Sequence, residues 1–237
     1  MYIAGCSDDN SSFETPNLSE TPTNAGTVSQ KNFSLLAEDP QPQIYDATTG
    51  GATDTSLVMT VKVGDKDNQL LTDAHTVYFA TEWGLIEPSC VTEEGTCTVT
   101  WQTSFGPDPT GASSSNAPAD HQVTITAYTL GEEDFSDTNG NSLFDDDDTA
   151  FPGTADLFID REEPFVDANR DGVFNSGDTI IDVINGNVLG TNSAHDTGDG
   201  FLNSNNCTHS SLCSDTAKVI YVWDDIEINM DGPPTTP

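Results

Sequence analysis

Basic residues are nearly missing from this chain: six Lys and Arg stand against 40 Asp and Glu, a formal charge of −34. That imbalance excludes a nucleic-acid role and binding to an anionic lipid surface, because both would be repelled. A cationic partner is called for instead. Long apolar runs are also absent, and with no stretch of 18 apolar residues a membrane-spanning helix is excluded. Catalytic signatures are equally scarce. His75, His121, His195 and His209 lie apart, no serine sits in a Gly-x-Ser-x-Gly elbow, and no triad or dyad spacing is visible, so a non-enzymatic protein is expected. No Cys-x-x-Cys occurs among the five cysteines, and His209 is the nearest histidine to any pair, which makes zinc a poor fit. Cys90 with Cys97 and Cys207 with Cys213 form two close pairs beside a lone Cys6, an arithmetic that favours two short disulfides, an odd thiol and an oxidising, extracellular compartment.

Helical periodicity is lacking throughout, whereas alternation with a period of two marks residues 32–36, 56–63, 76–80, 96–101 and 122–128 as half-buried strands. A last strong strand begins at Val219 and continues through Trp223, Ile226 and Ile228. Clusters of Gly, Pro, Asn, Asp and Ser separate these runs where the chain must reverse. Short strands at this spacing predict an all-β sandwich, with Trp83, Trp101 and Trp223 at strand positions and expected in its core. Residues 1–30 are almost wholly polar and read as a tether or assembly segment. The expected division is then 31–131 for the main part of the sandwich, 132–215 for an acidic insert, 216–230 for the closing strand and 231–237 for a tail.

The stretch Val77-Tyr78-Phe79-Ala80-Thr81, with Gly84-Leu85-Ile86 and Pro88-Ser89-Cys90, then Cys97-Thr98-Val99-Thr100-Trp101 and Val123-Thr124-Ile125-Thr126-Ala127-Tyr128, resembles the bacterial Ig-like domains of invasin- and intimin-type surface proteins. The resemblance covers residues 30–131 and the final strand. It implies an immunoglobulin-like β-sandwich used for surface display or adhesion, with no catalytic residues. The long insert before the closing strand departs from that simple domain. At the start of the chain, Ile3-Ala4-Gly5-Cys6 resembles the lipobox of bacterial lipoproteins, which would make Cys6 a lipidation site and the one route to a membrane. Only Met1 and Tyr2 precede it, where a signal peptide has about 15–30 residues, so a truncated start and a chance match both stand.

Acidity is concentrated. Residues 132–182 hold 16 carboxylates and two arginines, far more than an evenly solvated acidic surface would place there. Within them, residues 167–178 match the twelve-residue calcium loop of EF-hands and dockerins: Asp167, Asn169 and Asp171 at positions 1, 3 and 5, glycine at 6, the Val173 carbonyl at 7 and Asp178 at 12. Calcium is a hard cation that prefers six to eight oxygens, which explains Asp and Asn here rather than His or Cys. A looser copy has Asp137, Asn139, Asn141, Leu143 and Asp148 at the same positions, with Ser142 in place of glycine. Phe144 and Phe174 both occupy position 8, and a shared small core is expected to pin them.

Asp145, Asp146 and Asp147 are spare carboxylates that either complete the coordination or stay solvated, and a charge run of this kind favours water. A repeat of acidic-x-apolar-x-Asp adds Asp160, Glu163 and Asp182 to the candidate ligands, since alternate residues of an extended chain share one face. Asp182 with Asn185, Asn187, Asp196 and Asp199 makes a weak third site that turn chemistry explains equally well. The paired helices of an EF-hand or dockerin are not predicted after either loop, because Pro152, Gly153 and the β-branched run from Thr179 oppose them. The expected function is an extracellular, cell-surface structural or adhesive protein that binds several calcium ions and either meets a surface partner or self-assembles by strand addition into a filament or sheath. The alternative is a calcium-dependent carbohydrate-binding module, which would need its tryptophans exposed.

Overall fold

Alternation along the chain decides which face of each strand enters the core. The computed structural model describes residues 26–45, 52–103, 117–183 and 193–232; Cys6, Asn185, Asn187 and the ends of the chain lie outside them. Eleven strands are present: β1 (Val28–Ser29), β2 (Phe33–Ala37), β3 (Ser56–Val63), β4 (Thr76–Thr81), β5 (Leu85–Ile86), β6 (Ser89–Val91), β7 (Thr96–Gln102), β8 (Gln122–Glu132), β9 (Phe165–Val166), β10 (Thr179–Ile180) and β11 (Ile220–Asn229). In β3, Leu57, Met59, Val61 and Val63 are buried while Ser56, Val58 and Lys62 face out. β7 repeats the pattern with Cys97, Val99 and Trp101 inward.

Two sheets result. One runs β2-β3-β7-β5 with antiparallel neighbours. The other is centred on β8, which pairs antiparallel with β11 along one side and with β4 along the other; β6 lies outside β4, and β1 adds in parallel at Gly131 and Glu132. Inward side chains of both sheets form one cluster that includes Phe33, Leu35, Met59 and Trp101 from the first sheet and Phe79, Ile125, Val222 and Ile228 from the second. The chain is therefore an all-β sandwich. Each such large apolar side chain contributes about 1.5–3 kcal/mol over its exposed state. Gly84 is required beside this core: its φ is +88°, and a Cβ there would lie 2.6 Å from the Gln102 carbonyl and 2.7 Å from Trp101 Nε1.

Both expected disulfides are present. Cys90–Cys97 ties β6 of one sheet to β7 of the other, and Cys207–Cys213 closes a short loop near the end of the insert. The sandwich begins earlier than residue 31, because Val28 is fully buried and pairs with Gly131. β8 runs past the expected end at Tyr128 to Glu132, since β11 continues to supply partners as far as Ile220.

One tryptophan is not where periodicity puts it. Trp83 and Trp101 pack edge to face within the sandwich core, but Trp223 points outward from β11 and is covered by the insert. The insert lies on the outer face of the β8–β11 sheet, where Thr124 and Thr126 would otherwise meet water and are instead fully buried.

Candidate functional site

The ribbon formed by β9 and β10 brings Val166 opposite Thr179, so the residues between them must close into a tight loop. Asp167 organises that loop. Its Oδ1 accepts from the Arg170 N–H at 2.6 Å and its Oδ2 from the Gly172 N–H at 2.7 Å. Asn169 Oδ1 accepts from the Asp171 N–H, Asp171 Oδ1 from the Val173 N–H, and the Asp178 carboxylate reaches back to the Ala168 and Asn175 N–H groups at 3.0 and 2.8 Å. Asn175 crosses the loop, donating to Asp171 Oδ2 and the Val173 carbonyl.

The loop opened by Asp137 repeats this pattern 30 residues earlier. Asp137 accepts from Gly140, Asn141 and Ser142, Asn139 from Asn141, Asn141 from Leu143, and Asp148 from the Thr138 and Asp145 N–H groups. Asp145 takes the place of Asn175, accepting from the Asn141 and Asn139 amides. The backbones also coincide: positive φ falls at positions 4 and 6 of both loops, on Gly140 and Ser142 in one and on Arg170 and Gly172 in the other. Ser142 thus adopts the left-handed conformation that glycine takes more cheaply. Replacing it with glycine is expected to stabilise the protein by about 0.5–1 kcal/mol in urea unfolding, the left-handed penalty less the entropy that glycine loses.

Outside the loops the duplication continues. Glu133 accepts from the N–H groups of Arg161 and Asn203, and Glu163 from those of Val183 and Asp196. Asp160 accepts from the Gly200 N–H and Asp182 from that of Ser193. Asp160, Glu163 and Asp182 thus fall in this bracing layer rather than inside either twelve-residue loop. Glu133 and Glu163 are almost fully buried.

The two position-8 phenylalanines do not share a core. Phe144 packs with Phe135 and Leu202 and stacks on His209, while Phe174 stacks on His195 against Phe165. The cause is where each loop docks. The Phe144 loop is bound by the segment that the Cys207–Cys213 disulfide closes, through Phe144 N–H to the Asn206 carbonyl and the Thr208 and His209 N–H groups to the Phe144 carbonyl. The Phe174 loop sits on the sandwich. Thr124 and Thr126 donate to the Asp167 and Phe165 carbonyls, Arg170 pairs with Glu82 at 3.1 Å and with Asp120, and the Arg161 guanidinium lies 4.4 Å over the Trp223 ring.

Comparison with known proteins found no matching family model, curated protein or solved structure.

At position 9 the sequence favours solvation for Asp145 and leaves Asn175 out of the candidate ligands. Asp145 is drawn into its loop rather than left spare, whereas Asp146 turns outward to Ser210. Among the described residues no three His, Cys, Asp or Glu side chains converge as a ready-made metal cluster. The hydrogen-bonded side chains of each loop supply carboxylate and carboxamide oxygens, which are hard donors suited to calcium. The His195 and His209 rings stack on phenylalanine; His195 Nε2 lies 3.1 Å from the Glu163 carbonyl and His209 Nδ1 3.4 Å from Asp146 Oδ1.

Burial governs the acids around the loops. It pushes the Glu133 carboxyl up to about 8 against the hydrogen bonds from Arg161 and Asn203, and raises Glu132, Asp134, Asp160 and Glu163 in the same direction. The folded state therefore holds a proton on Glu133 to higher pH than the unfolded chain does. Its contribution to stability is complete below the ordinary value of 4.5 and lost as pH rises through about 8. The melting temperature of calcium-free protein is expected to fall between pH 5 and pH 8 (about the window of that shift), as read by circular dichroism.

Proposed function

We propose that this chain is an extracellular structural or adhesive protein whose immunoglobulin-like sandwich carries a pair of calcium loops. The observation that carries the reading is the twinned geometry: two loops of different sequence give Asp, Asn and Asp or Asn the same inward positions and hold them with the same backbone N–H groups. Asp137, Asn139, Asn141, the Leu143 carbonyl, Asp145 and Asp148 would hold one ion. Asp167, Asn169, Asp171, the Val173 carbonyl, Asn175 and Asp178 would hold another. Calcium would neutralise part of the charge gathered in this insert, which otherwise works against its compact state.

The sheet orders β2-β3-β7-β5 and β6-β4-β8-β11 support an immunoglobulin-like arrangement, since strands in the sequence positions of A, B, E and D share one sheet and those of C, F and G the other. The two disulfides are compatible with an extracellular site, and no helix among the described residues is long and apolar enough to cross a membrane.

Self-association by strand addition belongs to the same proposal, with one restriction. At Trp223 the outer edge of β11 is taken by the Gln30 amide, which bonds both the N–H and the carbonyl, and on the edge strand β2 the Leu35 N–H is taken by Asp224; β5 and β6 are the other sheet edges among the described residues. A tryptophan-based carbohydrate site is not supported, because Trp83, Trp101 and Trp223 are all buried.

Scanning calorimetry of chelator-stripped protein tests the calcium reading. Adding calcium, but not an equal concentration of magnesium, is expected to raise the transition temperature by several degrees; an unchanged transition removes the reading.

A further inference from the structure

The outer face of the β11-β8-β4-β6 sheet is divided. The insert seals it over Thr124 and Thr126, but further along β8 it is open. There three neighbouring strands each carry a tyrosine on this face, Tyr78 on β4 exposed and Tyr128 on β8 and Tyr221 on β11 half-buried. Tyr78 lies directly opposite Tyr128 with ring centroids 5.5 Å apart, and Tyr221, diagonal to Tyr128, meets it edge to face at 5.7 Å. Leu130, Val91 and Val219 border them at 50, 60 and 38 % exposure, and Tyr78 itself is 39 % exposed. None of the six carries a charge in a chain of −34.

Cross-strand aromatic pairs stabilise a sheet by only about 0.2–1 kcal/mol each, which does not require an open apolar patch around them. The chemistry of an occupant can be narrowed. An anionic polymer is repelled by the surrounding field, and a cationic partner finds no carboxylate among the six side chains. Six side chains also fall well short of the roughly 20–30 residues a side of a stable protein interface. An uncharged, chain-like ligand with apolar ring faces and hydroxyl groups fits, because tyrosine offers a rigid flat face and a polar tip together.

We infer that this face binds an uncharged polysaccharide whose sugar rings lie along Tyr78, Tyr128 and Tyr221. The site is separate from the calcium loops and works without them.

Native affinity electrophoresis of the full chain, in gels containing hydroxyethylcellulose, glucomannan or dextran, tests this. Retardation is expected in at least one gel, unchanged by chelator and by Tyr78→Phe. Tyr78→Ala and Tyr221→Ala should each weaken it by about tenfold, equal to 1.4 kcal/mol, while lowering the melting temperature by no more than the few degrees that a lost cross-strand pair accounts for; Leu130→Gln serves as a second variant should either alanine variant unfold. The inference is overturned by the absence of retardation in all three gels, by retention that survives these substitutions, or by retention lost on chelation, which would assign it to the insert. A concentration-dependent dimer abolished by the same substitutions would make the face a self-interface and overturn it as well.

Discussion

Trp223→Ala is expected to release the insert from the sandwich at a cost of about 3–5 kcal/mol. The indole points away from the sandwich core and is only 8 % exposed because the insert covers it. Phe165 meets it edge to face at 5.2 Å, the Arg161 guanidinium lies above it, and its Nε1 donates to the Glu162 carbonyl at 3.1 Å. Truncation removes the surface on which the insert rests but leaves β8 and β11 paired. Limited proteolysis should therefore cut between residues 133 and 183 while a sandwich-sized core survives. Trp223→Phe keeps the ring contact and loses the donor, a cost of about 1 kcal/mol. An alanine variant as protease-resistant as the parent would show that the insert is held some other way.

Removing the first acid of either loop is expected to have the second large effect. With calcium at about 100 times its dissociation constant, each site adds about 2.7 kcal/mol of stability, and Asp167→Ala or Asp137→Ala should forfeit one site each. The calcium-free protein should suffer too, because Asp167 accepts from Arg170 and Gly172 N–H groups that would lose their acceptor. That loss is about 1–3 kcal/mol where the groups stay shielded from water. The two variants should differ in reach: Asp167→Ala disturbs the loop seated on Thr124, Glu82 and Asp120, whereas Asp137→Ala disturbs the loop seated on the Cys207–Cys213 segment. Denaturant unfolding with and without calcium separates the two contributions, and a variant whose stability gain from calcium equals the parent's would remove that loop from the ligand set.

What the sequence made legible was whatever depends on near neighbours. Period-two alternation located β3, β4, β7 and β8 because burial on one face of a strand is written in consecutive residues. The twelve-residue spacing located both loops for the same reason, and Ser142 at the glycine position still takes the left-handed backbone. Features set by distant contacts were not legible. Trp223 alternates correctly for a strand, but which of its two faces meets a packing partner depends on Phe165 and Arg161, about sixty residues earlier. Asp145 reads as one of a run of four acids until the loop closes and its neighbours' amides select it. Glu163 reads as a candidate ligand in the acidic repeat; its burial, and that of Glu133, depends on the return of residues 193–203 across the insert. The separate packing of Phe144 and Phe174 follows from the same return path, which no local pattern encodes.

Isothermal titration of calcium into chelator-stripped protein tests the central claim most directly. The account predicts at least two ions bound per chain, with one fewer in Asp137→Ala and one fewer in Asp167→Ala. Absence of any binding heat, together with a melting temperature indifferent to calcium, would contradict it.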